Sequence, residues 1–72
     1  QGAPLPRLGL GLAQIREGNL KNGRTEIEIA VSLDPTNSLL RSYLGKAYYD
    51  EKRSHLAAAQ YEQAKDLDLL EA

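Results

Sequence analysis

One histidine and three close pairs of carboxylates are the residues of this chain whose types could do chemistry. His55 is the only histidine, and the sequence contains no cysteine. A single histidine, without cysteine or a second histidine at metal-ligand spacing, makes a poor zinc site. Its place near the start of a predicted helix indicates a solvated or capping side chain instead. Nothing in the sequence resembles a nucleophile beside its base.

The carboxylates of each pair lie one or two positions apart in segments that we expect to be helical. Side chains at this spacing point away from one another on a helix, which favours solvated faces over a general acid and base. A glycine-rich stretch at residues 8–11 lacks the preceding strand and the following Lys-Ser or Lys-Thr of a phosphate loop. We therefore expect no catalytic residue, no metal ligand and no cofactor. The carboxylate pairs are Glu26 with Glu28, Asp50 with Glu51, and Asp66 with Asp68.

Length, charge and composition narrow the class of protein. The chain has 72 residues and a formal net charge of −1, with acids and bases interspersed. One small domain, residues 1–72, is the most that this length allows. No basic stripe is present, so we expect no nucleic acid partner. No 18-residue apolar stretch and no basic helix face are present either, so we expect no membrane insertion.

The residue types favour helices. Leu, Ile, Ala and Tyr must build the core, because the chain has no Phe, Trp or Met. These residues include good helix formers, while β-branched residues are few, which predicts an all-α fold. The first residues, Gln1 to Pro4, lack an initiating Met and an apolar signal core, so we interpret the chain as a piece of a longer protein. The cellular compartment is not predicted.

An internal repeat is the strongest pattern in the sequence. Shifting the sequence against itself by 34 residues gives ten identities among 38 aligned pairs, without a gap. A fixed period of this length is typical of architectures in which each unit stacks on the next. We therefore divide the chain into two repeats, residues 4–37 and residues 38–72. The identities include Leu10-Gly11 with Leu44-Gly45, Glu17 with Glu51, Glu28 with Glu62, Ala30 with Ala64, and Leu33-Asp34 with Leu67-Asp68.

Each repeat is predicted to form two helices. A Gly-Asn break follows the first helix, and Asn19 is a candidate cap for the second. An Asp-Pro stop at residues 34–35 ends the second helix, since proline disfavours helix at the preceding residue, and Asn37 or Ser38 can cap the third. Linkers this short make neighbouring helices antiparallel. The four predicted helices span residues 5–17, 20–33, 38–51 and 54–67.

Apolar residues recur at helical spacing and define the faces that we expect to pack. Ile27 and Tyr61 are expected to fill the wedge between successive helix pairs. Arg24 and Glu28 form an i,i+4 pair that we place on the polar side of the second helix. The other residues that we expect to pack include Leu10, Gly11, Ala30, Val31, Leu33, Leu44, Gly45, Ala47, Tyr48, Leu56, Ala57, Ala64 and Leu67.

The period and these positions resemble the tetratricopeptide repeat (TPR). The family's unit carries a Leu-Gly pair in its first helix, small residues twelve and nineteen positions after that glycine, a large apolar residue sixteen after it, and a closing proline. The resemblance implies antiparallel helix-turn-helix repeats that form an α-α superhelix, here with four helices. The first repeat has Leu10-Gly11, Gly23, Ile27, Ala30 and Pro35 at these positions, and the second has Leu44-Gly45, Tyr48, Ala57, Tyr61 and Ala64.

Three departures from the family pattern are present. Arg7 and Arg41 stand where the family often has tryptophan, Gln14 replaces a tyrosine of the first helix, and Leu69 replaces the closing proline. None of them changes the small-residue positions. The resemblance therefore still covers essentially the whole chain.

The resemblance implies a non-catalytic interaction or scaffold module. In tetratricopeptide proteins the first helix of each repeat lines a concave groove that takes an extended or helical peptide. The basic and asparagine clamp for the acidic tail of heat-shock chaperones is not present, because Leu8, Leu12, Ser42 and Lys46 occupy its positions. An apolar or amphipathic peptide suits this groove better. The implied partner-binding residues are Leu5, Leu8, Leu12, Ile15, Leu39, Tyr43, Lys46 and Tyr49.

Two other hypotheses stay open. The apolar residues of the first helix could pack against the last helix of an upstream repeat, which would make the segment an architectural spacer in a longer solenoid. Alternatively, apolar ends could pair between chains, which would make it a self-association segment. The partner is in each case a protein or peptide, adjacent repeats of the same chain, or a second copy.

Overall fold

Over residues 3–71 the fold consists of four α-helices in sequence order. A computed structural model of the chain describes residues 3–71, with side chains described over residues 3–68. The helices are α1 (Pro4–Arg16), α2 (Leu20–Leu33), α3 (Ser38–Asp50) and α4 (Ser54–Glu71). No strand occurs within residues 3–71, so the all-α prediction is confirmed. The predicted ends agree to within one residue, except that α4 continues four residues beyond the predicted end.

The helices pack as two successive hairpins. The α1 helix packs on α2, α3 packs on α4, and α2 joins the hairpins by packing on α3. The Cα atoms span 35 × 30 × 15 Å, so the molecule is a slab.

Helix ends follow the local sequence with one exception. Pro4 stands in the first turn of α1, where its missing N–H leaves no helical bond unmade. The Asn37 side chain accepts a hydrogen bond from the Leu40 N–H at 3.2 Å and caps α3 as expected. The predicted cap at Asn19 is wrong, because its side chain makes no capping hydrogen bond. Its ψ of 72° lies outside the extended region that a capping side chain needs.

Equivalent turns close the two hairpins. In each hairpin the second residue after the first helix has a positive φ, 90° at Gly18 and 64° at Lys52. The backbone N–H of the following residue donates a hydrogen bond to the carbonyl five residues earlier. Asn19 N–H donates to Gln14 O at 2.8 Å, and Arg53 N–H donates to Tyr48 O at 2.9 Å. This pattern is a Schellman motif, which satisfies carbonyl groups at the helix end. Gly18 and Lys52 are 34 residues apart, so the two turns are at equivalent positions of the two repeats.

A single apolar core runs through both hairpins. Ile27 and Leu40 are its largest fully buried side chains, and they come from α2 and α3, the two helices at the junction. Leu12, Ile15 and Tyr43 pack against the core while partly exposed. The core cluster consists of Leu8, Ile27, Ala30, Val31, Leu40, Leu44, Ala47, Tyr48 and Ala57.

Four residues that we expected to pack are substantially exposed: Leu10, Leu33, Leu56 and Tyr61. The outer faces of α1 and α4 have no neighbouring helix among the described residues, which explains the exposure of Leu10 and Tyr61. Helical spacing identifies an apolar face, but it does not show whether another helix covers that face. The prediction was therefore wrong about burial at these positions.

The two arginines that recur at the 34-residue period, Arg7 and Arg41, have a structural role. Arg7 Nη1 donates to Glu26 Oε1 at 2.9 Å, and Arg41 Nη1 donates to Gln60 Oε1 at 3.2 Å. Both contacts join the first helix of a hairpin to the second, at positions related by the 34-residue shift. The arginines thus tie the two helices together by hydrogen bonds.

Candidate partner-binding surface

The eight residues that the sequence proposed for partner binding fall into three groups by exposure. Leu5, Leu39 and Tyr49 are 61%, 53% and 65% exposed, and the Lys46 side chain is also exposed. Leu12, Ile15 and Tyr43 are partly buried and pack against the core. Leu8 is buried within it. A binding role for any of the eight stays a prediction.

Leu8 cannot contact a partner without leaving the core. It lies in the cluster with Ile27, Ala30 and Val31 of α2, so its side chain stabilises the fold. The surface that α1 and α3 offer therefore consists of Leu5, which is on α1, and the exposed residues of α3. We call Leu5, Leu39, Lys46 and Tyr49 the α1/α3 surface.

Charge on the α1/α3 surface is balanced. Lys46 Nζ lies 3.5 Å from Asp50 Oδ1, one helical turn further along α3. This i,i+4 pair is largely solvated and contributes little to stability. It does neutralise the lysine locally, which leaves the surface apolar and aromatic rather than basic.

Two open depressions lie around the turn between α3 and α4. One of about 480 Å³ adjoins the α1/α3 surface and is lined by Tyr49, Asp50, Lys52 and Ser54. The other, of about 420 Å³, is lined by residues 52–56, which include His55. Within the described residues, no group of three His, Asp or Glu side chains is arranged to hold a metal ion. His55 is exposed in this turn.

A polar network joins the hairpins at the α2–α3 junction. Arg24 Nε donates to Glu51 Oε1 at 2.8 Å, and its Nη1 donates to Glu28 Oε1 at 3.0 Å. The Tyr48 hydroxyl donates to the other oxygen of Glu28 at 2.7 Å. The predicted Arg24–Glu28 pair is confirmed, but it is not on a solvated face, since the Arg24 side chain is only 13% exposed. We call these four residues the junction network.

The junction network raises the pKa of two of its members, Arg24 and Tyr48. The hydrogen bond to Glu51 is the largest effect on Arg24 and raises its pKa, although burial opposes it. Burial, followed by the hydrogen bond to Glu28, raises the pKa of Tyr48 to about 12. At neutral pH the tyrosine is therefore a hydrogen-bond donor, neither a base nor a nucleophile. The network is a structural tie between α2 and α3.

Sequence reasoning missed Glu51 and Tyr48 as members of a network with Arg24. The contact between Arg24 and Glu51 spans 27 residues, so no local spacing rule detects it. The repeat indicated only part of the network. Its two glutamates are matched in the other repeat by Glu17 and Glu62, but the position equivalent to Arg24 is Ala58. The positive φ of Lys52 was also missed, although its equivalent is a glycine.

No helix in the part of the chain that the structure describes is both long and apolar enough to cross a membrane. Comparison of the chain with known proteins found no match to a protein-family model, a curated protein or a solved structure.

Proposed function

We propose that this chain is a non-catalytic protein interaction or scaffold module of the tetratricopeptide type, which binds a peptide or partner segment on the α1/α3 surface. The 34-residue register, the Leu-Gly pairs and the small-residue positions support the family. The exposed apolar side chains of Leu5, Leu39 and Tyr49 are the observation that carries the binding role. These side chains are on the same two helices, and large apolar side chains left exposed there are available to contact a partner.

The chemistry of the surface suggests the class of partner. Leu5 and Leu39 are aliphatic, Tyr49 adds a large ring with a polar tip, and Lys46 is paired with Asp50. Tyrosine provides contact area with little loss of side-chain entropy and is enriched at interface hot spots. An amphipathic helix or an extended apolar segment matches this mixture better than an acidic tail.

The experiment is a selection of binding peptides from a displayed random library, followed by amide chemical-shift mapping of a selected peptide on the labelled domain. We expect shifts on α1 and α3, and we expect Tyr49→Ala to weaken binding by about tenfold or more, as for an interface hot spot. Leu33→Ala, which truncates an exposed apolar residue of α2, is the matched control and should bind normally.

Two results would contradict this function. One is a library that yields no binder under conditions that succeed with an established peptide-binding domain. The other is a set of shifts confined to α2 and α4, with Tyr49→Ala and Leu39→Ala binding as tightly as the parent. The second result would locate the working surface on the opposite side of the slab.

An architectural or self-associating role is the alternative. Leu10 on α1 and Tyr61 on α4 are both exposed although their equivalents in the other repeat are buried. That observation favours contacts at the two ends of the slab, with an adjacent repeat or with a second copy. It does not involve the α1/α3 surface, so both roles can coexist.

A further inference from the structure

Equivalent residues of the two repeats differ in burial at the ends of the slab. Ile27 is fully buried at 0% exposure, whereas its equivalent Tyr61 is 44% exposed. Leu44 is 4% exposed, whereas its equivalent Leu10 is 47% exposed. Each buried member lies at the α2–α3 junction, and each exposed member lies where a further junction of the same kind would form.

We propose that a second copy of this chain completes that junction, with the α4 helix of one copy packing on the α1 helix of the next. The contact would repeat the α2–α3 junction in trans. It is heterologous, because different surfaces of the two copies meet, and it therefore propagates head to tail rather than closing as a symmetric dimer.

The internal junction supplies the pairing of residues. Shifting α2 and α3 by 34 residues replaces Ile27 and Leu44, which belong to one core cluster, by Tyr61 of one copy and Leu10 of the next. Glu62 takes the place of Glu28 and faces Gln14, which takes the place of Tyr48. Glu28 accepts a hydrogen bond from Tyr48, and Glu62 can accept one from the Gln14 amide.

Gln14 provides a second observation at the α1 face. Its amide oxygen is buried and has no hydrogen-bond partner within the described part of the chain. Glu62 would accept from the amide N–H groups of Gln14 and not pair with this oxygen, so the oxygen shows only that this part of the α1 face is shielded from water. The amide oxygen is thus already withdrawn from water at the position where the junction would form.

Two substitutions make the intermolecular junction weaker than the internal one. Arg24, which bonds Glu51 at the internal junction, is replaced by Ala58, so Glu17 has no arginine opposite it. Val31, which is buried, is replaced by Lys65, which is exposed. Association is therefore reversible and concentration-dependent, whereas the internal junction is held by a continuous chain.

Substitutions at Ala58 can either strengthen or weaken the contact between copies. Ala58→Arg restores the arginine of the arginine–glutamate pair, opposite Glu17 of the next copy. We expect sedimentation velocity over a concentration series to show about three- to tenfold tighter association, in line with one partly exposed ion pair. Ala58→Glu should weaken association by a similar factor through like-charge repulsion. Ala59→Arg, an exposed neighbour on the same helix, is the matched control and should leave association unchanged.

A double variant identifies the residue on the other copy. If the arginine introduced by Ala58→Arg pairs with Glu17, then adding Glu17→Ala should remove the whole gain, while Glu17→Ala alone should have little effect. Equal gains from Ala58→Arg and Ala59→Arg would overturn the proposal, because they would indicate only a change in net charge. Identical association of the Ala58→Arg and Ala58→Glu variants would overturn it as well.

A mixing experiment tests the head-to-tail geometry. Leu10→Glu weakens the α1 face and Ala58→Glu weakens the α4 face, and both positions are exposed, so the fold should survive. Each variant alone should associate more weakly than the parent, while an equimolar mixture should form a 1:1 dimer with the parent's affinity for a single junction. A mixture that associates no more tightly than either variant alone would contradict the geometry. Neither outcome bears on peptide binding at the α1/α3 surface, which is measured separately.

Discussion

The two hairpins share a register but close in different ways. In the first, a methyl group added at Gly11 would lie 2.7 Å from the Gly23 carbonyl oxygen, and one added at Gly23 would lie 2.6 Å from the Gly11 carbonyl oxygen. In the second, the nearest atoms to a methyl group added at Gly45 all belong to the Tyr61 ring, at 2.6 Å and beyond. Side chains lie over the glycines in both hairpins, but only in the first do two glycine backbones also meet.

The repeat therefore fixes which positions are small without fixing how close the helices come. Gly23 of the first hairpin corresponds to Ala57 of the second, which is buried with its methyl group in place. The same methyl group would clash in the first hairpin, where Gly23 lies against Gly11. A residue that is tolerated in one repeat is thus not tolerated at the equivalent position in the other.

The largest expected effect follows from this difference. Gly23→Ala and Gly11→Ala should each lower the free energy of unfolding by about 2–3 kcal/mol, because rigid backbone atoms must separate to admit the methyl group. This loss exceeds the roughly 1 kcal/mol that alanine gains over glycine in a helix. Urea unfolding followed by circular dichroism measures both changes.

Gly9→Ala is the matched control on the same helix. A methyl group there would have no heavy atom within 4 Å, so only the helix propensity changes. We expect stability to rise by about 0.5–1 kcal/mol. If Gly11→Ala and Gly9→Ala stabilised the chain equally, the close contact between α1 and α2 would be disproved.

The second hairpin should tolerate a methyl group but not a larger side chain. In Gly45→Ala the half-exposed Tyr61 ring can rotate away from the new methyl group. The cost of overpacking and the gain in helix propensity, about 1 kcal/mol each, should therefore nearly cancel. Gly45→Leu and the buried Ala64→Leu should each lose about 1–3 kcal/mol. Thermal melts of these two leucine variants that match the parent would show that the packing register is wrong.

The free energy of unfolding should fall at alkaline pH because of Tyr48 at the junction between the hairpins. The pKa of Tyr48 is raised from 10.0 to about 12, so the folded state binds this proton more tightly than the unfolded chain does. The resulting stabilisation is fully present below pH 10.0 and is lost as the pH rises towards and through about 12. Chemical unfolding between about pH 9 and about pH 12 measures this loss.

Tyr48→Phe isolates the contribution of that hydroxyl. At neutral pH we expect a loss of about 1.5–3 kcal/mol, since the hydrogen bond goes to a carboxylate. The difference in stability between the parent and the variant should then shrink above pH 10.0. A difference that stays constant through this range would mean that Tyr48 is not hydrogen-bonded to Glu28 in solution.

The smallest effect concerns the turns. Gly18 and Lys52 occupy equivalent left-handed positions, which glycine adopts freely and a lysine adopts at a cost. We expect Lys52→Gly to raise the melting temperature, with a gain of about 1 kcal/mol. The reverse change, Gly18→Lys, should lose a similar amount. A loss from Lys52→Gly together with a gain from Gly18→Lys would indicate that the turns do not adopt this conformation.

The sequence was sufficient to predict the helices and their order. The Asp-Pro stop and the cap at Asn37 are local features, the 34-residue identities relate one hairpin to the other, and the structure reproduces the helices that they define. The wrong cap at Asn19 has a physical reason, since capping depends on backbone dihedrals that the residue type alone does not determine. Burial of Leu10 was wrongly predicted because spacing does not identify a missing neighbour.

The candidate surface was predicted only in part. Leu5, Leu39, Lys46 and Tyr49 are exposed, as a binding role requires, but Leu8 is in the core. Leu8 and Leu39 both come from positions that the family resemblance assigns to a groove. A family pattern predicts which side of a helix each residue is on. Whether that residue is buried depends on the neighbouring side chains in these two repeats.

A NOESY spectrum of the labelled domain tests most directly whether one register builds both hairpins. We expect cross-peaks between the α-protons of Gly11 and Gly23, because their backbones approach within contact distance. We also expect cross-peaks between the Gly45 α-protons and the Tyr61 ring. Absence of the glycine–glycine cross-peaks, or contact of Gly11 with residues one position away from Gly23 instead, would contradict the account.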